Sequence, residues 1–207
     1  MAWNKYYIVV TAQPGFTPGL ALTTIGLTGY RAADQVSFHQ TNKSDDLFIG
    51  TYKDNLVIVQ PDLTYAFFKE TPSDIEKQFV AAFPNAEIAA LAENSTVDEF
   101  GYNLIQNGRR IRVKHGCDGE IYTDIGDMLP EEEAILAGVV FDRDELEHMA
   151  EDLDAEEIQE IVSFEASWRV PAVLSKRYFG DIIDNLDEKA LMMTRYRKVE
   201  SQPKKDS

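Results

Sequence analysis

Short apolar runs separated by turn residues fill most of the first 128 positions of the chain and predict a set of β-strands. The first run is rich in Tyr, Ile and Val and is followed by a loop that contains two prolines and two glycines. Lys53, Asp54 and Asn55 are typical of a hairpin turn between two of the strands. The predicted strands cover residues 6–12, 36–40, 47–52, 56–60 and 86–91, and a last one covers residues 190–198.

Two helices are predicted between these strands from their N-terminal caps. Thr17 followed by Pro18 is typical of an N-cap and a first helical position, and this helix ends near Gly26 or Gly29. Because the segment carries neither GxGxxG nor Gly-Lys-Ser/Thr, we interpret it as a helix packed on a sheet and not as a phosphate site. The second helix begins with the capping box Ser73-x-x-Glu. Its apolar face comprises Ile75, Phe79 and Phe83.

Asn107-Gly108 predicts a two-residue hairpin turn, because a type I′ turn needs positive φ at both central positions. A turn at these residues fixes the strand register if both strands are regular. The expected pairs are Gln106–Arg109, Leu104–Ile111, Tyr102–Val113 and Phe100–His115. Strand alternation then places Ile111 and Val113 on the core face.

The same register places Arg110, Arg112 and Lys114 together on the opposite strand face, and these three are the candidate binding residues. Three cations two residues apart repel one another and need compensation. We expect carboxylates to cover them, either from residues 142–160 or from Glu131 to Glu133. The alternative is an open site for an anionic ligand.

His115 and Cys117 lie close together at the end of this hairpin and raise the question of a catalytic pair. Side chains at i and i+2 on a strand are about 6–7 Å apart, too far for a nucleophile and its base. A zinc site needs three or four ligands, and the chain has one Cys and three His. We therefore predict no catalytic residue and no metal here.

The string GYNLIQNGRRIR, followed by Gly119, Asp124 and Gly126 and then by LPEEE, carries a resemblance to known sequences. It resembles a hairpin and acidic turn of uncharacterised bacterial proteins that contain a domain of unknown function. The resemblance covers about a fifth of the chain. It implies a bacterial origin and the hairpin, and it implies no activity.

Acidic residues dominate positions 142–160, where two helices are expected. One covers residues 141–151, and the other begins at Ala155 with Asp154 as its N-cap and Glu157 three residues later. Pro171 restarts the helix, which continues to Gly180. The second helix should present Ile158, Ile161, Val162 and Trp168, together with Glu165, on one face.

The acidic residues do not have the spacing of known carboxylate sites. An EF-hand loop needs a glycine at its sixth position, which is absent after Asp142. Glu145-x-x-His148 is a single copy of the motif that a di-iron bundle uses twice. Glu131, Glu132 and Glu133 follow Leu-Pro, as acids in the first turn of a helix do, which argues against a glycosidase pair. We interpret these acids as a solvated helix face.

The charge and composition of the chain restrict its expected partners and its expected compartment. The formal net charge of the 207 residues is −16, which disfavours nucleic acid and favours either solubility alone or a basic protein partner. A single cysteine fits a reducing compartment. The short apolar run near the N-terminus is not a signal peptide, and no segment approaches a membrane span, so we expect a cytoplasmic protein without a membrane partner.

We therefore predict an α+β fold: a largely antiparallel sheet with covering helices and a helical C-terminal region. Residues 1–199 are expected to form one domain, β-rich over 1–128 and mainly helical over 129–188, with a disordered tail at 200–207. The favoured function is a non-enzymatic acidic interaction domain without a cofactor. The alternative is a small-molecule binder or hydrolase with a pocket at the sheet edge, near His39, His115 or Arg112.

Overall fold

The computed structural model describes residues 4–41, 46–138 and 153–199. Within these ranges one antiparallel sheet holds nine strands in the order β2-β9-β3-β4-β1-β5-β6-β7-β8. The strands are β1 Asn4–Val10, β2 Tyr30–Ser37, β3 Leu47–Tyr52, β4 Asn55–Val59, β5 Glu87–Asn94, β6 Glu99–Gln106, β7 Arg109–Cys117, β8 Glu120–Gly126 and β9 Met192–Lys198. The predicted α+β class with a largely antiparallel sheet is confirmed.

Helices cover both faces of the sheet. In the described residues they are α1 Pro18–Ile25, α2 Pro61–Tyr65, α3 Asp74–Ala82, α4 Pro130–Gly138, α5 Ala155–Trp168 and α6 Val170–Phe179. Short 3₁₀ turns cover Phe38–Gln40 and Ile183–Asn185. The helix expected over residues 141–151 and the tail expected at 200–207 lie outside the described residues. Where the chain is described, none of its helices combines the length and the apolar character needed to cross a membrane.

Two hydrophobic cores lie on opposite faces of the sheet. The first face carries Ile8 and Ile58 and packs against Phe79 of α3. The second face carries Val9 and packs against Phe164 of α5, together with residues of α6. Because both sides of β1 are buried, this strand reads as the continuous apolar run YYIVV and not as an alternating pattern.

The helix caps form where the sequence predicts them. The Thr17 side chain accepts a hydrogen bond from the Leu20 amide, and Gly26 ends α1 at a φ of 78°. Asp154 and Glu157 form the expected capping box of α5. Gly180 ends α6 at a φ of 82°. These predictions are confirmed.

Two element predictions are wrong in part. The strand expected over residues 36–40 ends at Ser37 and begins earlier, at Tyr30. This strand lies at an edge of the sheet and exposes most of its side chains, so no apolar alternation marks it. In α5 the face predicted from Ile158 to Trp168 is only half buried, and Phe164, Ala166 and Ser167 are the residues that pack into the protein.

The β6–β7 hairpin has the predicted turn but not the predicted register. Asn107 and Gly108 have φ of 50° and 72°, and Gln106 pairs with Arg109. The register then shifts by one residue, so that Leu104 pairs with Arg112 and Ile111 is left as a bulge. Beyond the bulge Tyr102 lies opposite Lys114, not Val113, and the predicted pairing is wrong from this point onward.

Candidate functional site

The bulge at Ile111 separates the three predicted binding residues. Arg110 lies before it, pairs with Ile105 and belongs to the first face. Arg112 and Lys114 lie beyond it, pair with Leu104 and Tyr102, and belong to the second face. The expectation of three cations on one strand face is therefore wrong. Ile111, predicted in the core, is 39% exposed, since a bulged residue leaves the regular alternation.

Arg110 forms an ion pair with Glu76 on the first face. Its Nε and Nη2 atoms lie 2.8 and 2.5 Å from the two carboxylate oxygens of Glu76. Its Nη1 atom also donates to the carbonyls of Lys69 and Glu70. The Ser73 side chain caps α3 as expected. The Glu76 carboxylate, predicted to complete the capping box, binds Arg110 instead. The guanidinium thereby ties β7 to α3 and to the loop before it.

Arg112 is buried on the second face with two carboxylates. Its Nε and Nη2 atoms lie 2.9 and 2.8 Å from the oxygens of Glu132, and its Nη1 atom also contacts Asp124. The Tyr102 hydroxyl donates to Glu132 over 2.6 Å. Burial opposes the charge of Arg112, but the hydrogen bonds to Glu132 and Asp124 outweigh it and raise the pKa of the guanidinium.

Lys114 is buried beside this pair. Its Nζ atom lies 3.3 Å from Asp124 and donates to the Ser163 hydroxyl of α5 over 3.0 Å. The adjoining cavity has a volume of about 10 Å³, enough for one water molecule. The expected covering by carboxylates is confirmed for all three cations, but the predicted acidic turn supplies only Glu132, a partner of Arg112. Glu132 is 5% exposed, so the interpretation of this acid as solvated is wrong.

His115 lies on the first face in a network around the buried carboxylate of Glu99. Its Nε2 atom is 3.0 Å from Glu99, which also accepts hydrogen bonds from the hydroxyls of Tyr6 and Tyr65 over 2.8 and 2.7 Å. Burial opposes the charge of Glu99, but these hydrogen bonds hold its pKa below the ordinary value. The His115 ring stacks on Phe68. The network ties β1, α2, β6 and β7 together.

The three residues named for a small-molecule pocket have separate surroundings. The His39 ring contacts the backbone oxygen of Leu186 at 3.0 Å. His115 belongs to the first face and Arg112 to the second. In the parts of the chain that the structure describes, no three His, Cys, Asp or Glu side chains are placed to hold a metal ion.

A groove of about 410 Å³ lies where α5 passes the turn between β5 and β6 and the turn between β7 and β8. Its lining comprises Asp98, Asp118, Gly119, Ile161, Phe164, Glu165 and Trp168. We call it the acidic groove, because three of these residues are carboxylates, all three exposed, and none is basic. Asp98 and Asp118 have φ of 44° and 52°, and the Asp118 amide donates to the Asp98 carbonyl over 3.3 Å. This contact holds the two turns side by side.

Cys117 directly precedes the groove residue Asp118, and the pKa of its thiol is raised. Burial raises its pKa, and the carboxylates of Glu99, Asp118 and Asp98 raise it further. The Cys117 Sγ atom contacts the carbonyl of Val97 at 3.1 Å. A raised pKa disfavours the thiolate that a nucleophile or a metal ligand requires.

Sequence reasoning named Glu165 and Trp168 but missed the two turns. Asp98 and Asp118 come from separate hairpins and meet only through the antiparallel β5–β8 meander. The one local signal was the Asp118-Gly119 dipeptide, which favours a hairpin turn. The predicted strands did not include β8. A strand predicted directly after that turn would have placed Asp118 at the end of the sheet.

Residues 10–161 match DUF6928, a family of unknown function. The chain belongs to this family. The region shared with the family includes Asp98, Asp118 and Ile161, whereas Glu165 and Trp168 lie beyond it. Neither the curated proteins nor the solved structures contain a match to the chain.

Proposed function

We propose that this chain is an acidic interaction domain of the cytoplasm that binds a basic protein, and that the acidic groove receives cationic side chains of that partner. The observation that carries the proposal is the combination of Asp98, Asp118 and Glu165 with the indole of Trp168 in one cavity. Carboxylates attract lysine and arginine, and a cation gains further from contact with the face of an indole. A volume of about 410 Å³ has room for one or two such side chains.

The charge of the whole chain supports the same partner. A formal net charge of −16 attracts a basic protein over a distance and speeds its encounter with the groove. On the sheet face that carries α5, Arg112 and Lys114 are buried in ion pairs with Glu132 and Asp124, so they do not offset the groove carboxylates at the surface. A nucleic-acid phosphate would be repelled by the same field.

The test is a calorimetric titration of the protein, at low salt, with the flexible peptide Lys-Gly-Lys-Gly-Lys-Gly-Lys. We expect binding that weakens about tenfold in a variant with Asp98→Asn, Asp118→Asn and Glu165→Gln, since exposed ion pairs contribute about 0.2–1 kcal/mol each. Asparagine tolerates positive φ, so the two turns are retained. About 0.2 M NaCl should weaken binding by the wild-type chain.

A matched variant controls for net charge. Glu70→Gln, Asp74→Asn and Glu188→Gln remove the same three charges from exposed positions outside the groove lining. We expect this variant to lose at most about twofold in affinity, from the long-range field alone. Equal losses in the two variants would show that the groove has no special part in binding.

A further inference from the structure

We propose that the basic partner binds as an extended strand along β8 and lengthens the sheet, an inference that rests on the function proposed above. In the described residues β8 pairs only with β7 and forms one edge of the sheet. An edge strand leaves backbone N–H and C=O groups without a ladder partner, and an added strand can use them. The acidic groove begins at Asp118 and Gly119, directly before β8, so that one segment can reach both.

Exposed apolar side chains concentrate at this edge. Tyr122 is 52% exposed and Ile125 is 41% exposed, and both lie on β8. Ile111 and Met128, also exposed, belong to the bulge and to the segment after the strand. Large side chains of this kind at an edge strand are a typical mark of an interaction surface.

The two faces of β8 differ in chemistry. Ile125 pairs with Val113 and belongs to the first face. The register shift between His115 and Gly116 leaves Tyr122 as a bulge, and its ring lies 5.6 Å from that of His115 on the same face. Asp124 pairs with Lys114 and belongs to the second face, on which α5 lies. An added strand would therefore meet apolar groups on one face. On the other it would meet Asp124, whose carboxylate is 45% exposed although it already contacts Arg112 and Lys114. A segment that alternates apolar and basic residues fits this edge.

The charge of the edge excludes a second copy of the chain as the favoured occupant. β8 carries Glu120 and Asp124 and no lysine or arginine. Two copies of this strand would bring acids of the same sign together, and each chain carries −16 overall. A basic strand gains mainly from Glu120 and from the adjoining groove carboxylates, because Asp124 is already paired with Arg112 and Lys114.

The experiment compares two peptides of equal charge, Lys-Val-Lys-Val-Lys-Val-Lys and the flexible Lys-Gly-Lys-Gly-Lys-Gly-Lys. We expect the valine peptide to bind about tenfold more tightly, because it favours a strand and covers Tyr122 and Ile125. Hydrogen exchange of the amides of residues 120–126 should slow when it binds. Equal affinities with unchanged exchange over these residues would overturn strand addition and leave groove binding intact.

Backbone pairing is tested with N-methylated versions of the valine peptide. One version is methylated at its odd positions and the other at its even positions, since alternate amides of a strand face the neighbouring strand. We expect one version to lose at least about tenfold in affinity and the other to bind nearly as the parent. Equal behaviour of the two versions would contradict a hydrogen-bonded ladder.

Side-chain variants separate the edge from the groove. Tyr122→Thr with Ile125→Thr should reduce the affinity for the valine peptide about fivefold and leave the flexible peptide unaffected. Met192→Thr, which alters an exposed apolar side chain on β9, serves as the matched control. Sedimentation of the chain alone tests the other occupant: a dimer with protected β8 amides would assign the edge to a second copy and overturn the proposal.

Discussion

Glu132 is the residue on which the buried polar contacts around Arg112 converge. Its carboxylate accepts hydrogen bonds from Arg112, from the Tyr102 hydroxyl and from the amide of Leu129 at the start of α4. We expect Glu132→Ala to lower the free energy of unfolding by about 3–5 kcal/mol, because Arg112 would remain buried with one of its two carboxylates missing. Urea denaturation at pH 7 measures this.

Glu133→Ala is the control in the same helical turn, because Glu133 is exposed. A surface substitution of this kind changes the unfolding free energy by less than about 0.5 kcal/mol. If the two variants were equally stable, the contacts of Glu132 would not contribute to folding as the geometry indicates.

Cys117 provides a pH-dependent measure of the groove carboxylates. Asp118 and Asp98 help to raise its pKa after burial and Glu99. Removing two negative charges favours the thiolate, so Asp98→Asn with Asp118→Asn should lower the pKa of Cys117. Alkylation of this single cysteine by iodoacetamide, followed across neutral and alkaline pH, should then begin at lower pH.

The charge-matched Glu70→Gln with Glu188→Gln should leave the alkylation profile near that of the wild type. If the groove variant kept the wild-type alkylation profile, Asp98 and Asp118 would not contribute to the raised pKa of Cys117. Cys117→Ser should not alter peptide binding, because Cys117 is not among the residues that line the groove. The raised pKa of the thiol also argues against a chemical role.

At the scale of elements, the β6–β7 turn depends on a glycine at positive φ. Gly108 has a φ of 72°, and an added Cβ would lie 3.3 Å from a methyl group of Val80. We expect Gly108→Val to cost about 1–2 kcal/mol, because a β-branched residue tolerates positive φ poorly. Thermal and urea denaturation measure the loss.

Gly108→Asn is the control for this turn. Asparagine adopts positive φ more readily than valine, so its loss should be the smaller of the two. An equal loss would assign the effect to contact with Val80 and not to backbone strain.

Elements with local signals could be predicted from the sequence, whereas the hairpin register could not. Thr17 and Asp154 cap their own helices, so a few neighbouring residues contain the information. The bulge at Ile111 depends on distant partners: with it, Arg112 reaches Glu132 and Lys114 reaches Ser163. Nothing near Ile111 in the sequence specifies those partners. The acidic groove could not be predicted either, because three segments that are distant in the sequence line it.

At the scale of the whole molecule, excess negative charge should weaken folding. A formal net charge of −16 repels itself more strongly in the compact state than in the unfolded chain. We expect the urea midpoint at pH 7 to rise between about 0.02 and about 0.2 M NaCl, as the Debye length shortens and screens exposed charges. The buried pairs of Arg112 are screened less. A falling midpoint would mean that exposed ion pairs outweigh the repulsion.

The position of β9 between β2 and β3 has a consequence for how the chain is made. At about 5–20 residues per second, a ribosome needs roughly 8–30 s to add the ~150 residues that separate β2 from β9. During this interval β3, whose Leu47, Phe48 and Ile49 are buried in the finished sheet, lacks a neighbour on one side. The nascent chain thus carries a hydrophobic strand edge that other nascent chains could pair with. The other strand that pairs with β9 is β2, which also lacks this partner during the interval. Because its sequence is polar, β2 adds little to the risk of pairing between nascent chains before β9 is synthesised.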